Sequence, residues 1–207
     1  MPRTAAARDI AASILDATAR LLARYGYSKT TIEDVARDAG IGKGSVYLHF
    51  ASKEEVVLSL VDRAVREVLD ELRVIAADDD ASAAERMRRM LTARVLGRRL
   101  RFRGYSTSLN DLLAALRPAL LVQRNQHLRD EAAIFRAVIQ DGVRLREFRT
   151  SDPEGAANAL LTATNSLLPY YLSPRELGSS AVIDKRIDTV AALLLTGLTC
   201  GAATARR

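Results

Sequence analysis

Residues 30–53, TTIEDVARDAGIGKGSVYLHFASK, compress two short helical periods and a glycine-containing turn into two dozen positions, leaving this stretch few ways to fold. Thr30 and Thr31 offer a side-chain cap ahead of Ile32, and Glu33 and Asp34 follow in the first turn, where the helix dipole favours negative charge. Ile32, Val35 and Ala36 share a face. Ala39-Gly40 then supplies a residue free to enter the left-handed conformation and end the helix. A second short helix is expected from Lys43, with Val46, Tyr47 and Phe50 as its apolar or amphipathic surface, and Gly42 at its cap. Two short helices about a tight glycine turn form a helix-turn-helix.

The flanking segments read as longer helices. Ile10, Ile14, Ala17 and Leu21 recur at steps of four, three and four, which predicts a first helix over 8–25 closed by Tyr25-Gly26. Residues 1–7 show no periodicity and read as a solvated tail, although Arg3 has the character of a basic arm that can enter a DNA groove. Ser52 and Glu55 have the spacing of a capping box and open a long helix over 53–76, with a seam through Val57, Leu60, Ala64, Val68, Leu72 and Ile75. At 1.5 Å per residue it runs roughly 36 Å. Asp78-Asp79-Asp80 breaks the pattern, and 83–100 resumes it. A segment at 105–116 is expected to stop before Pro118, which then serves as the first residue of another helix ending at Asp141-Gly142. Asp152-Pro153 opens a helix to about Tyr171, and a last helix is expected over 181–199 on Ile183, Ile187, Val190, Leu194 and Leu198. The fold class is therefore all-α: an N-terminal three-helix helix-turn-helix domain (1–53, with the linking helix 53–76), then a larger helical domain (77–207), about nine helices in all. The 5% of aromatic residues and the plentiful Ala, Leu and Arg agree with helix over strand.

Other bulk properties exclude more than they assign. Cys200 is the single cysteine, so there is neither an intrachain disulfide nor a cysteine zinc site, which fits a reducing, cytoplasmic setting. Arg3, Arg8 and Asp9 stand where a signal peptide needs apolar residues. The uncharged run 155–174 contains Asn158, Asn165 and Pro169 and is too polar for a membrane span. The net charge of +6 suits an anionic partner; residues 1–53 carry eight Lys/Arg against five Asp/Glu, a mild basic surplus.

From residue 25 to residue 56 the sequence YGYSKTTIEDVARDAGIGKGSVYLHFASKEEV resembles the DNA-binding segment of the TetR family of bacterial one-component repressors. Thr31-Ile32, Val35-Ala36, Ala39-Gly40, Gly44-Ser45, Tyr47, His49-Phe50 and Ser52-Lys53-Glu54 fall in register. The resemblance implies that Lys43, Gly44 and Tyr47 approach base edges in the major groove, and that Thr31, Ser45, His49 and Lys53 hold phosphates, which position the protein without reading sequence. Gly42 stands where Ser or Thr usually caps the recognition helix, and Leu48 replaces the usual aromatic residue.

Competing chemistries are poorly served by the same residues. The glycines of GIGKGS lack P-loop spacing and follow a helix instead of a strand. Only His49 and His127 are present, and no nucleophile-elbow sequence occurs, so an enzyme is not expected, nor a cofactor. His127 beside acidic neighbours reads as an ordinary polar or pocket residue before a metal ligand. The cluster Arg86, Arg88, Arg89, Arg94, Arg98, Arg99, Arg101 and Arg103 reads first as a solvated helix face. Its alternatives are an anion site, such as one for the phosphates of a coenzyme-A thioester, and non-specific DNA contact.

The resemblance further implies a homodimer through the last two helices, helped here by the small face of Ala156, Ala157, Ala159, Ala163 and Thr164. It also implies a ligand pocket among the intervening helices, with Asn110, Gln123, His127, Asn165 and Tyr170 as candidate polar groups. The expected function is that of a repressor bound as a dimer to a palindromic double-stranded DNA operator and released by a small-molecule inducer, either apolar or amphipathic or an acyl-CoA. The alternative is a helical interaction or DNA-architectural protein without an inducer.

Overall fold

The computed structural model describes residues 2–102, 109–169 and 180–200, with side chains for all of these except 2–8, 102, 109, 110, 113, 180 and 200. Among the described residues there are eight helices and no strand: α1 (Pro2–Tyr25), α2 (Ile32–Asp38), α3 (Lys43–His49), α4 (Lys53–Ala76), α5 (Ala83–Phe102), α6 (Leu109–Arg144), α7 (Pro153–Asn165) and α8 (Ser180–Cys200). They fall into two compact units. The first takes α1 to α3, α4 as far as Ala64 and α6 as far as Gln123; the second takes α4 from Val65, α5, α6 from Arg124, α7 and α8.

In the first unit, Ile14, Ala17 and Leu22 of α1 close over Val35 and Ala36 of α2 and Val46 of α3, all nearly inaccessible to water. Leu112 and Leu116 of α6 complete this core from far along the chain. Burying a leucine contributes roughly 1.5–3 kcal/mol, so those two residues tie the start of α6 firmly to the helix-turn-helix. They also explain a difference from the sequence expectation. Pro118 does not begin a helix but lies inside α6, because Leu112 and Leu116 before it and Leu120 after it pack against the same core. Ala114 and Pro118 are on the exposed side, where water can take the carbonyl hydrogen bond that proline does not supply. Two expected helices thus merge into one.

Two helix ends also differ from expectation. Helix α1 starts at Pro2 and not near residue 8, since proline is tolerated in a first turn and Ala5-Ala6-Ala7 are strong helix formers that need no apolar period. The side chain of Arg3 lies outside the described residues. Helix α7 ends at Asn165, short of Tyr171: the N–H groups of Leu167 and Leu168 turn back to Thr164 and Asn165, and Pro169 follows. At its other end Asp152 caps the helix, accepting from the Gly155 N–H at 2.8 Å, with Pro153 in the first turn as its sequence predicts.

The second unit is built on α5, which packs on α8 and α7. Its Met87, Met90, Leu91 and Val95 are fully buried, along with Phe135 and Ile139 of α6 and Ile183 and Ile187 of α8. Arginines share that interior. Arg86, Arg94, Arg98 and Arg99 are all buried, which overturns the reading of this cluster as a solvated face for these four; Arg103 lies outside the described residues. Among the described residues no helix is long and apolar enough to cross a membrane, and no group of three His, Cys, Asp or Glu residues is placed to hold a metal ion.

Candidate nucleic-acid interface

The geometry of the α2–α3 motif follows from its two ends. Thr31 caps α2 in a complete box: its hydroxyl accepts from the Asp34 N–H at 3.2 Å, and the Asp34 carboxylate accepts from the Thr31 N–H at 3.1 Å. At the far end Gly40 takes φ +70°, letting its N–H reach the Arg37 carbonyl and the Ile41 N–H reach the Ala36 carbonyl. These are the paired bonds of a Schellman ending, which only a left-handed residue completes. Helix α3 follows at once, and Gly42 gives its start no side-chain cap. Burial of Val46 beneath and Phe50 behind holds α3 in place, so that Gly44, Tyr47 and Leu48 form its outward face. Tyr47 is 48% and Leu48 85% exposed, and a Cβ at Gly44 would meet no atom within 4 Å.

The remaining expected contact residues are more engaged than their sequence positions reveal. The Thr31 hydroxyl donates to Asp34 at 2.6 Å while serving as the cap. Ser45 and His49 are half-buried at the borders of the outward face. Lys43 is exposed at the start of α3, and its ammonium donates to the Glu33 carboxylate of α2. Hydrogen bonding and attraction within this pair push the Lys43 pKa up and hold Glu33 below the usual carboxylate range.

Lys53 sits in a brace. Its ammonium donates to the carbonyls of Tyr27 and Thr30, at 3.1 Å each, and lies 4.1 Å from the centre of the Tyr27 ring. The Tyr27 hydroxyl donates to Glu54 at 3.1 Å. Ser52 caps α4 by accepting from the Glu55 N–H, but the Glu55 carboxylate reaches past Ser52 to the Ala51 N–H, a shifted version of the expected box. The start of α4 is thereby tied to the loop leading into α2.

Burial, followed by the hydrogen bond and charge of Glu54, pushes the Tyr27 pKa from 10.0 to about 12. A raised value means that the folded state favours the neutral phenol. Its contribution to stability is full below pH 10 and is lost as pH rises toward 12. In thermal melts followed by circular dichroism, the stability difference between the protein and its Tyr27→Phe variant should be constant up to pH 10 and shift in the variant's favour above it. A difference unchanged up to pH 12 would refute this role of Tyr27.

Of the candidate ligand residues, the second unit places Asn165 and His127 inside or beside a buried polar network. Arg94, with no exposure, donates from Nε to Glu131 at 3.2 Å, from Nη1 to the Thr164 hydroxyl at 2.7 Å and from Nη2 to the Asn165 side-chain oxygen at 2.7 Å. Arg98 donates to the other Glu131 oxygen at 2.6 Å, while its own Nε is buried with no partner among the described residues. Burial pulls the Arg94 pKa down and attraction to Glu131 opposes the fall. His127 is buried one helical turn before Glu131. Gln123 belongs to the first unit, where its side chain donates to the Leu58 carbonyl at 3.5 Å; the Asn110 side chain and Tyr170 lie outside the described residues. Glu33, Glu131 and Thr164 are not among the site candidates that the sequence offers, and Arg94 and Arg98 enter there only within the arginine cluster weighed as a solvated face, an anion site or a DNA contact. The only signal for Glu131 is a lone acid on the apolar face of α6 with Phe135 and Ile139.

Comparison with known proteins agrees with this architecture. Residues 14–60 match the family model described as "Bacterial regulatory proteins, tetR family", and residues 80–194 match "Tetracyclin repressor-like, C-terminal domain". The transcriptional repressor KstR2 of Rhodococcus jostii is 28% identical over 191 residues, 89% of each chain. The regulator TtgR of Pseudomonas putida is 34% identical over 86 residues, and that match spans 41% of this chain and 40% of TtgR, under half of the relative's length. A crystal structure of a TetR/AcrR-family regulator from Thermobifida fusca superposes with a TM-score of 0.70 at 26% identity, covering 96% of this chain and 100% of that one. With both halves matched in order, the chain belongs to the TetR family of bacterial transcriptional regulators.

Proposed function

We propose that this regulator is a cytoplasmic homodimeric repressor that binds a palindromic operator through α3 and leaves it when a small molecule occupies the second unit. The observation that carries the reading is the outward face of α3, where Tyr47 and Leu48 stay exposed while Val46 and Phe50 anchor the helix from behind. Such a helix enters a major groove with its first residues against base edges. In this reading Lys43, Gly44 and Tyr47 face bases, and Thr31, Ser45, His49 and Lys53 lie along phosphates. Lys53 has fewer donors to spare than a free lysine, because two carbonyls already hold it.

Dimerisation through α7 and α8 is supported by their exposed small and apolar positions, including Ala159, Ala163, Val182 and Leu193. A two-fold protein matches two half-sites about one helical turn, or a multiple of it, apart. Release follows from differential affinity: an inducer that favours the conformer unfit for DNA lowers operator affinity by that difference. Ligands seen in two regulators of the same fold support a small-molecule inducer. FadR from Bacillus subtilis, TM-score 0.65 at 18% identity, was solved in complex with stearoyl-CoA, and SmeT, TM-score 0.70 at 20% identity, in complex with triclosan. Footprinting on DNA flanking the protein's own coding sequence tests the reading. Two symmetric protected half-sites are expected, and a single half-site or uniform protection would contradict the dimeric repressor.

A further inference from the structure

The ion pair between Lys43 and Glu33 joins α2 to α3 on the face proposed to meet DNA. The other ion pairs of this unit do different work. Arg20 with Asp38 and Arg63 with Asp16 tie α1 to α2 and to α4, and Arg37 with Asp34 lies within α2. Among the described residues, Lys43–Glu33 is the pair that occupies a residue expected at base edges. Both side chains are about half exposed, at 48% and 57%, so the fold gains little from the contact, because water and salt screen an exposed pair. An approaching polyanion meets something different: a carboxylate beside the ammonium, offsetting the charge that would otherwise release counterions from DNA.

We propose that Glu33 is a specificity-determining residue that competes with DNA for Lys43, lowering the protein's affinity for phosphate backbone of any sequence. The proposal rests on the DNA-facing role of α3. Contact with DNA transfers the Lys43 ammonium from Glu33 to a phosphate or a base acceptor, and only an interface with further correct contacts compensates the lost pair. No new bond to the fold is required, since α2 keeps its Thr31–Asp34 cap and α3 its Val46 and Phe50 anchors.

The test is a double-mutant cycle in fluorescence anisotropy, with the intact dimer on random-sequence duplex over a range of salt. Glu33→Gln should tighten binding by about fivefold for each reading head and steepen the slope of log affinity against log salt by roughly one. In a Lys43→Gln background the same change should give little further gain. Unchanged or weaker binding by Glu33→Gln would overturn the proposal, as would an equal gain in both backgrounds, which would mean that the carboxylate acts on phosphates by itself. Circular dichroism melts of each variant guard against unfolding. Failure of the underlying DNA reading looks different, since the unmodified protein would then show no preference for any sequence.

Discussion

Tyr47→Ala is expected to leave the protein folded, dimeric and able to bind DNA, and to remove most of its preference for operator over random sequence. Tyr47 is about half exposed on the outward face of α3 and contributes little to the core, so its truncation leaves Val46 and Phe50 in place. A well-made contact to a base edge is worth roughly 1–3 kcal/mol of discrimination. Two half-sites double it, which makes a loss of about a hundredfold in the specificity ratio a reasonable scale. Lys53→Ala provides the contrast. It should weaken operator and random binding alike and flatten the salt dependence, and it should also lower the melting temperature, because Lys53 holds the carbonyls of Tyr27 and Thr30. A Tyr47→Ala variant that kept the full operator preference would show that α3 docks in another way.

Glu131→Gln is expected to be the most damaging single change to the second unit. Glu131 has no exposure and is the carboxylate on which both Arg94 and Arg98 converge from α5. Arginine does not discard its proton to escape burial, so removing the acid leaves two guanidiniums in a low-dielectric interior. Breaking a buried pair in this way typically costs about 3–5 kcal/mol. For a chain of this size that lowers the melting temperature by on the order of 10 °C. Replacing the whole network with apolar residues, as in Arg94→Met, Arg98→Met and Glu131→Leu together, should recover much of the loss, since a buried ion network is seldom more stable than well-packed hydrocarbon. If Glu131→Gln melted like the unmodified protein, the network would not be holding α5, α6 and α7 together.

The helix-turn-helix was readable in the sequence because its signals are local. Thr31 and Asp34 are three residues apart, Gly40 acts on carbonyls of the turn before it, and the absent cap at Gly42 is visible from the residue type alone. Engagements over longer separations were not readable. Lys43 finds Glu33 ten residues away, Lys53 finds carbonyls more than twenty residues back, and Arg94 meets Glu131 and Thr164 on two other helices. A run of arginines resembles a solvated face until the packing of α5 on its neighbours decides which of them turn inward. Pro118 shows the same limit, because local stereochemistry argues for a break and contacts from Leu112, Leu116 and Leu120 prevail. Gly142 reads as a helix stop, yet α6 continues past it to Arg144. What demands glycine there is the Phe148 ring, which would come within 2.1 Å of a Cβ at that position.

The central claim is that α3 reads sequence, and the most direct measurement compares the affinity of the intact protein for DNA flanking its own coding sequence with that for random duplex of equal length, across a range of salt. The expected result is a preference of about a thousandfold or more at physiological salt, with both affinities falling as salt rises. Equal affinity for the two DNAs at every salt concentration would contradict it and leave a helical protein that binds DNA by charge alone.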